Sequence, residues 1–240
     1  MNRPPEPARR RIGLPSAFVL LLIAGALPRA SVPVAAQVVP VDDAVFVLFR
    51  NGQRVGEEHV TLHRMGLGQN ARVIGQSEIR MDDGSEMRPR VEASPDLRPT
   101  AYENRLSGSQ VGEVLISRSG RRLVARTRTA DGEAQREFRA SDRTVILAED
   151  VVLLYYLLAP WARGEPTDLT VLDPRSGSQR TVRVVVQGAE PLRVGRISVV
   201  ATRIRLESEG DVRSVWFDDE GRVLRVEAPA SGLRAERQGS

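Results

Sequence analysis

Short runs rich in Val, Leu, Ile and Thr, each closed by a turn containing Gly, Asp or Asn, follow one another along nearly the whole chain after residue 37. That spacing leaves little uninterrupted sequence for long helices. It predicts an all-β domain, a strongly curved antiparallel sheet or partly open barrel with one short helix. Ala44 to Phe49 (AVFVLF) is apolar at every position, as a central strand would be. Asn51-Gly52 comes next and is the strongest short hairpin signal. The return strand carries Val60 and Leu62 on one face and His59, Thr61 and His63 on the other.

The middle of the chain supports a finer expectation. Two-residue turns at Ser119-Gly120 and Asp131-Gly132 set Ile116 opposite Leu123, Val114 opposite Ala125, Ala125 opposite Phe138 and Arg126 opposite Glu137. One face is then Val114, Ile116, Leu123, Ala125 and Phe138. The other carries a row of Glu113, Arg126 and Glu137, which favours this register by roughly 0.2–1 kcal/mol per opposed pair. Near Glu149 the period changes. Val151 to Ala159 (VVLLYYLLA) has no polar face. Periodicity alone does not separate a short helix from a buried strand here. Acids in front of the run and Pro160 behind it favour the helix, which plugs the open side of the sheet. Strands resume at Leu169 to Leu172, Thr181 to Gln187, Ile197 to Leu206, Val212 to Phe217 and Val223 to Glu227. Val182, Val184 and Val186 alternate with polar neighbours, as do Val200, Ile204 and Leu206. The Glu220-Gly221 turn sets Phe217 against Leu224 and Trp216 against Arg225, within reach of a cation–π contact.

The domain organisation follows from the two ends. Arg3, Arg9, Arg10 and Arg11 precede the apolar run Ala17 to Leu27, and Val34-Ala35-Ala36 fits a small-x-small cleavage site before Gln37. That order reads as a secretory signal peptide over residues 1–36. A permanent anchor is the competing reading, but the run falls short of the ~20 apolar residues a spanning helix needs. The arginines before Ile12 and Leu14 match a twin-arginine signal only in part, which favours the general secretory route. Residues 37–229 form a single β-rich domain, and residues 230–240, small and polar, read as a disordered tail. The expected location is periplasmic or secreted, with membrane contact only through the signal segment.

Charge then changes its meaning. The whole chain carries +4, and residues 1–36 alone hold five Arg against one acid. The rest is neutral, which argues against a surface that tracks nucleic-acid phosphates. No cysteine is present, so no disulfide supports the fold. Ten aromatic residues in the whole chain leave a core built mostly of Val, Leu, Ile and Ala.

From Asp150 to Glu227 a pattern of short motifs stands out. Asp150 leads into Leu153-Leu154-Tyr155-Tyr156-Leu157, and a turn with Gly164 precedes Leu169-Thr170-Val171. Val184-x-Val186-x-Gly188-x-Glu190, Gly195 and the strand Val199 to Leu206 follow. The series closes on Val215-Trp216-Phe217-Asp218-Asp219 with Gly221 and Arg222-Val223-Leu224. Asn51-Gly52 and Val55-Gly56-Glu57 fit the start of the same pattern. The chain thus resembles the exported Gram-negative proteins of domain-of-unknown-function family 3108 and its relatives. The resemblance implies a β-rich periplasmic domain with a strongly curved sheet and no defined reaction. By fold analogy such a sheet is like the half-barrel of lipoprotein carriers.

Catalytic chemistry finds little footing in the sequence. His59 and His63 lie roughly 13 Å apart along a strand, too far for one metal ion. No Gly-x-Ser-x-Gly elbow and no phosphate-binding loop occurs. Asp42-Asp43, Asp82-Asp83-Gly84-Ser85-Glu86 and Asp218-Asp219-Glu220-Gly221 sit where turns are expected, with too few alternating ligands for calcium. A hydrolase built from carboxylates distant in sequence stays open, but no residue is singled out as catalytic and no metal or cofactor is implied. Binding remains. A concave apolar face with a helix in its mouth suits an apolar ligand, with Tyr155, Tyr156, Trp161, Trp216 and Phe217 as candidate lining residues. The bland reading of those five is a plain aromatic core. The alternative function is an envelope scaffold that meets a protein partner through an edge strand or its arginine-rich outer face.

Overall fold

The computed structural model describes residues 38–108 and 111–239. The expected leader, residues 1–36, lies outside them. Strands take up most of the described chain: β1 (Val38–Arg50), β2 (Gln53–Met65), β3 (Arg72–Met81), β4 (Glu86–Met87), β5 (Arg90–Ala93), β6 (Pro99–Ser107), β7 (Gly112–Ser119), β8 (Arg122–Thr129), β9 (Gly132–Arg139) and β10 (Thr144–Ile146) come first. A helical segment follows, α1 (Val152–Tyr155) running on as a 3-10 helix (Tyr156–Trp161). Then come β11 (Thr167–Asp173), β12 (Ser178–Val194), β13 (Ile197–Ser208), β14 (Asp211–Phe217), β15 (Val223–Ala228) and β16 (Leu233–Arg237).

All these strands belong to one sheet, in the order β10-β11-β12-β13-β14-β15-β16-β1-β2-β3, then β4 and β5 side by side in sequence along β3 and β6, then β6-β7-β8-β9. Every pairing is antiparallel except β10 with β11. The order is a meander around a barrel, with its first and last strands joined and a seam between β9 and β10. Side chains bridge the seam. Gln179 Nε2 donates to the Arg139 carbonyl at 2.9 Å, Arg136 to the Gly177 carbonyl at 3.2 Å and Arg118 to the Ser141 carbonyl at 3.1 Å. The all-β class, the curved sheet, the partly open barrel and the single short helix all stand as expected from the turn spacing.

The sheet forms its core by alternation. Ala44, Phe46 and Leu48 on β1, Val60 and Leu62 on β2, Ile204 and Leu206 on β13, and Val215 and Phe217 on β14 all point inward. Asn51 turns the first hairpin at φ 51° ahead of Gly52 at φ 81°, the two positive angles that a type I′ turn demands. The helical segment fills the barrel, with Leu153, Leu154, Tyr155, Tyr156, Leu157 and Leu158 fully buried. Each such side chain contributes roughly 1.5–3 kcal/mol on leaving water. Gly75 on β3 makes the docking possible, since a Cβ there would lie 2.6 Å from Leu153 Cδ1 and 2.8 Å from Leu62 Cδ1.

Several finer expectations are corrected. The turns in the middle of the chain close one residue later and one residue earlier than expected. Ser119 pairs with Arg122 and Ile116 with Ala125, while Thr129 pairs with Gly132 and Leu123 with Phe138. Each register is displaced by two residues, which keeps every side chain on its expected face. The charged row changes partners: Arg128 opposes Glu113 and Glu133, Arg122 pairs with Glu137, and Arg126 reaches Gln135. Trp216 does oppose Arg225, but a bulge after it sets Phe217 against Val223 rather than Leu224. A second bulge at Val186 and Gly188 alters β12, and past it Val200 on the partner strand is 71 % exposed rather than inward. Pro160 lies inside the 3-10 helix rather than beyond its end.

The expected disordered tail is a strand. β16 lies between β15 and β1 and joins the two halves of the meander. Its sequence hides an alternation: Leu233 and Ala235 are buried while Arg234 and Glu236 face out. A short strand with a small inward residue reads as polar in isolation, and only its two neighbours give its backbone partners on both sides.

Candidate functional site

The inward alternation carries two residues that an apolar face should not hold. Glu58 is in phase with Val60 and Leu62 on β2, and Asp42 is in phase with Ala44, Phe46 and Leu48 on β1. Both are buried. A buried carboxylate is costly unless satisfied; Glu58 is satisfied by the helical plug, and Asp42 by the plug together with β16.

Glu58 holds the start of α1. Its Oε2 accepts the Val152 N–H at 2.7 Å and its Oε1 accepts the Leu153 N–H at 3.0 Å. These are free donors of the first turn, and no neighbouring side chain in the sequence caps them. The acids expected to favour the helix start, Glu149 and Asp150, do not supply the cap. Burial pushes the Glu58 carboxyl up to about 7, against the pull of the two N–H groups, and nearby Asp150 adds to the rise.

Asp42 holds the middle of the plug. Tyr156 donates its hydroxyl to Asp42 Oδ2 at 2.6 Å, and Arg237 on β16 donates to both carboxylate oxygens at 2.7 and 2.6 Å. Burial works to raise the Asp42 carboxyl, but the hydrogen bonds from Arg237 and Tyr156 together hold it below its ordinary value. A third anchor sits on β14. Arg213 reaches the Tyr155 hydroxyl at 3.4 Å, Asp211 at 2.7 Å and Glu149 at 3.2 Å. Burial pushes the Tyr155 hydroxyl up to about 12, so both plug tyrosines stay neutral at physiological pH. Three anchors from distant parts of the chain thus fix one short helix.

The five aromatic residues singled out from sequence divide. Tyr155, Tyr156 and Phe217 are fully buried in the main core, and Trp161 packs against it half-buried. Trp216 lies between the inward Val215 and Phe217, so it faces the other side of the sheet. There it joins Leu192, Val194, Ala201 and Leu224 in a separate cluster. Its ring is stacked between Arg203 at 4.9 Å and Arg225 at 5.7 Å, and its Nε1 donates to Glu190 at 2.6 Å. The five do not line one common space.

The plug leaves a small cavity at each end. One, of about 140 Å³, lies between β6, β7 and the chain entering α1, lined by Tyr102, Asn104, Leu106, Val114, Ala148 and Val151. The other, of about 150 Å³, lies by Tyr156, Pro160, Leu62 and Leu97. Leu97 is held in the left-handed region at φ 60°, a strain of order 1–3 kcal/mol for a residue with a side chain. A larger concavity, about 1140 Å³, is an open groove on the outer surface among His59, Gln76, Glu78, Arg88, Glu103 and Arg105. Above it His59 Nε2 meets Asp43 at 2.7 Å on the exposed face.

The family model described as "Domain of unknown function (DUF6134)" matches residues 102–237, more than half of the chain. The chain belongs to this family. The resemblance to family 3108 is thereby corrected, because the model that matches is a different one. The motifs that carried it, tight glycine turns and alternating strands, are ones a curved antiparallel sheet repeats for its own geometric reasons. The DUF6134 segment runs from the start of the Tyr102–Asn104 face to Arg237 and contains the plug and Arg213, while Asp42 and Glu58 lie ahead of it. A crystal structure of a beta-barrel-like protein of domain of unknown function DUF1849 from Brucella abortus is similar at 10 % identity and a TM-score of 0.47, covering 85 % of this chain and 97 % of that one. No curated protein matches the chain.

Proposed function

We propose that this protein is exported and serves in the cell envelope as an interaction module whose barrel is filled by its own helix. The observation that carries the reading is the fully buried plug, Leu153 to Leu158, in the space a lipid carrier would keep for its cargo. Beside the plug, among the described residues, lie cavities of about 140 and 150 Å³, each well below the ~300–1,000 Å³ typical of ligand pockets. Recognition then falls to the outside, where the open groove alternates Arg88 and Arg105 with Glu78 and Glu103. That lining suits an extended polar segment of mixed charge on a protein partner. Export is supported by the arginines, apolar run and small-x-small site of the leader.

Native mass spectrometry of the protein isolated from its own envelope tests the reading, with solvent extraction of the same sample. The expected spectrum shows the mass of a chain starting at Gln37 with no extractable lipid. A photo-crosslinker at Arg105 is expected to capture a protein that one at Arg163 does not. A stoichiometric lipid in the extract, too large for either small cavity, would establish the carrier reading instead, and recovery of the chain only in the cytoplasm would overturn export.

A further inference from the structure

Inward positions on β6 run Tyr102, Asn104 and Leu106, with a polar amide in the middle of an otherwise apolar stretch. Asn104 sits opposite Val114 on β7 and is only 6 % exposed. Its Oδ1 has no hydrogen-bond partner among the described residues. A buried acceptor left without a donor is costly, and a native fold retains one where something supplies the donor. The space beside it is the cavity of about 140 Å³ at the start of the plug. Such a volume is close to that of a cavity that accepts benzene.

We propose that this cavity is a binding site for a compact neutral molecule, or terminal group, of phenol size, apolar over most of its surface and carrying one hydroxyl donor for Asn104 Oδ1. Leu106, Val114, Ala148 and Val151 supply the apolar walls. The Tyr102 hydroxyl lies beside the amide, and burial keeps it protonated. At the rim Arg175 pairs with Asp150 at 2.9 Å, Glu113 with Arg105 at 3.0 Å and Arg128 with Glu133 at 3.1 Å, so each charge there already has its partner and the site favours a neutral guest. This inference goes beyond the surface interaction above and does not depend on it: the cavity borders the outer groove along Leu106, Gly112, Glu113 and Arg128, but Asn104 and Val114, which carry the inference, line the cavity alone.

Phenol and toluene differ by the donor and little else in shape, which makes them the probes. Titration of the folded protein with each, followed by proton–nitrogen correlation spectra, is expected to show saturable shifts confined to the amides around Asn104, Val114 and Val151. Phenol is expected to bind at least tenfold tighter than toluene, since a site with a buried acceptor rejects the analogue that leaves it unpaired. Asn104→Leu removes the preference, and Val114→Phe fills the space and abolishes both titrations. If Asn104→Leu fails to fold, Val114→Phe still decides the location. Equal binding of the two probes, an unchanged preference in Asn104→Leu, or no saturable shift with either overturns the proposal and leaves the cavity to water.

Discussion

The helical plug and the β7–β9 arm are built with the same chemical pairs and put them to opposite use. On the arm, Arg122 meets Glu137 at 3.3 Å and Arg128 meets Glu133 at 3.1 Å, all with more than half of each side chain in water. At the plug, Arg237 meets Asp42 at 2.6 Å with the carboxylate almost wholly buried. Exposed pairs gain little, because water screens them and two long side chains must be held still. The buried ones gain little in absolute terms either, but removing one member strands the other without solvent. The plug is therefore positioned by its charges, whereas the arm is only decorated by them.

Cutting the chain after Gly232 is the most severe test of that contrast. It removes β16 and Arg237 together, leaving the edges of β1 and β15 unpaired. Loss of a cooperative unfolding transition by circular dichroism is expected; a truncated protein that melts like the full chain would make β16 an ornament. Next in size is Asp42→Ala, which leaves the Tyr156 hydroxyl and the Arg237 guanidinium without their acceptor. Urea denaturation is expected to show a loss of about 3 kcal/mol. Adding Arg237→Met to that variant should restore part of it, which a simple cavity effect would not allow.

The two buried carboxylates also differ in their response to pH. Glu58 titrates near 7 in the fold against an ordinary 4.5, so its burial favours the protonated form. Stability from this group is fully present below pH 4.5 and falls as pH rises through 7, by about 3 kcal/mol in total. Asp42 has the opposite sign, its contribution being present above the ordinary carboxylate range and lost on acidification. Glu58→Gln is expected to flatten the decline between pH 4.5 and 7 while leaving the acid limb in place, as read from thermal unfolding across pH. A profile unchanged by the substitution would remove Glu58 from the account. The smallest effect belongs to the arm: Arg122→Ala or Arg128→Ala is expected to shift stability by under about 0.5 kcal/mol, and a loss of 2 kcal/mol in either would erase the difference between the regions.

The sequence made parts of this legible for plain reasons. Asn51-Gly52 announced its turn because few residue pairs accept two positive φ angles. The Val151–Ala159 run announced a buried segment because it lacks any polar face, and only its flanks favoured a helix over a strand. Registers in β7–β9 were mistaken by two residues, since a period-2 pattern looks the same after such a slip. Asp42 and Glu58 carry a signal, a charge in phase with Phe46 or Val60, that their acid-rich neighbours mask by resembling turns and solvent-facing positions. Asn104 gave the same signal between Tyr102 and Leu106.

By itself the sequence determined that the chain is all-β, where its turns fall to within a residue, which face of most strands turns inward, and that one short apolar segment interrupts them. These are local matters, set by backbone sterics and by the alternation of side chains along a strand. Only the tertiary structure decided that β16 joins β1, that Glu58 caps a helix about 95 positions away in the chain, and that Trp216 lies on the far side of the sheet from Phe217. Each depends on a partner distant in sequence. A buried charge, a bare helix end or an unpaired strand edge states only that a partner is required, and closing the barrel is what supplied it.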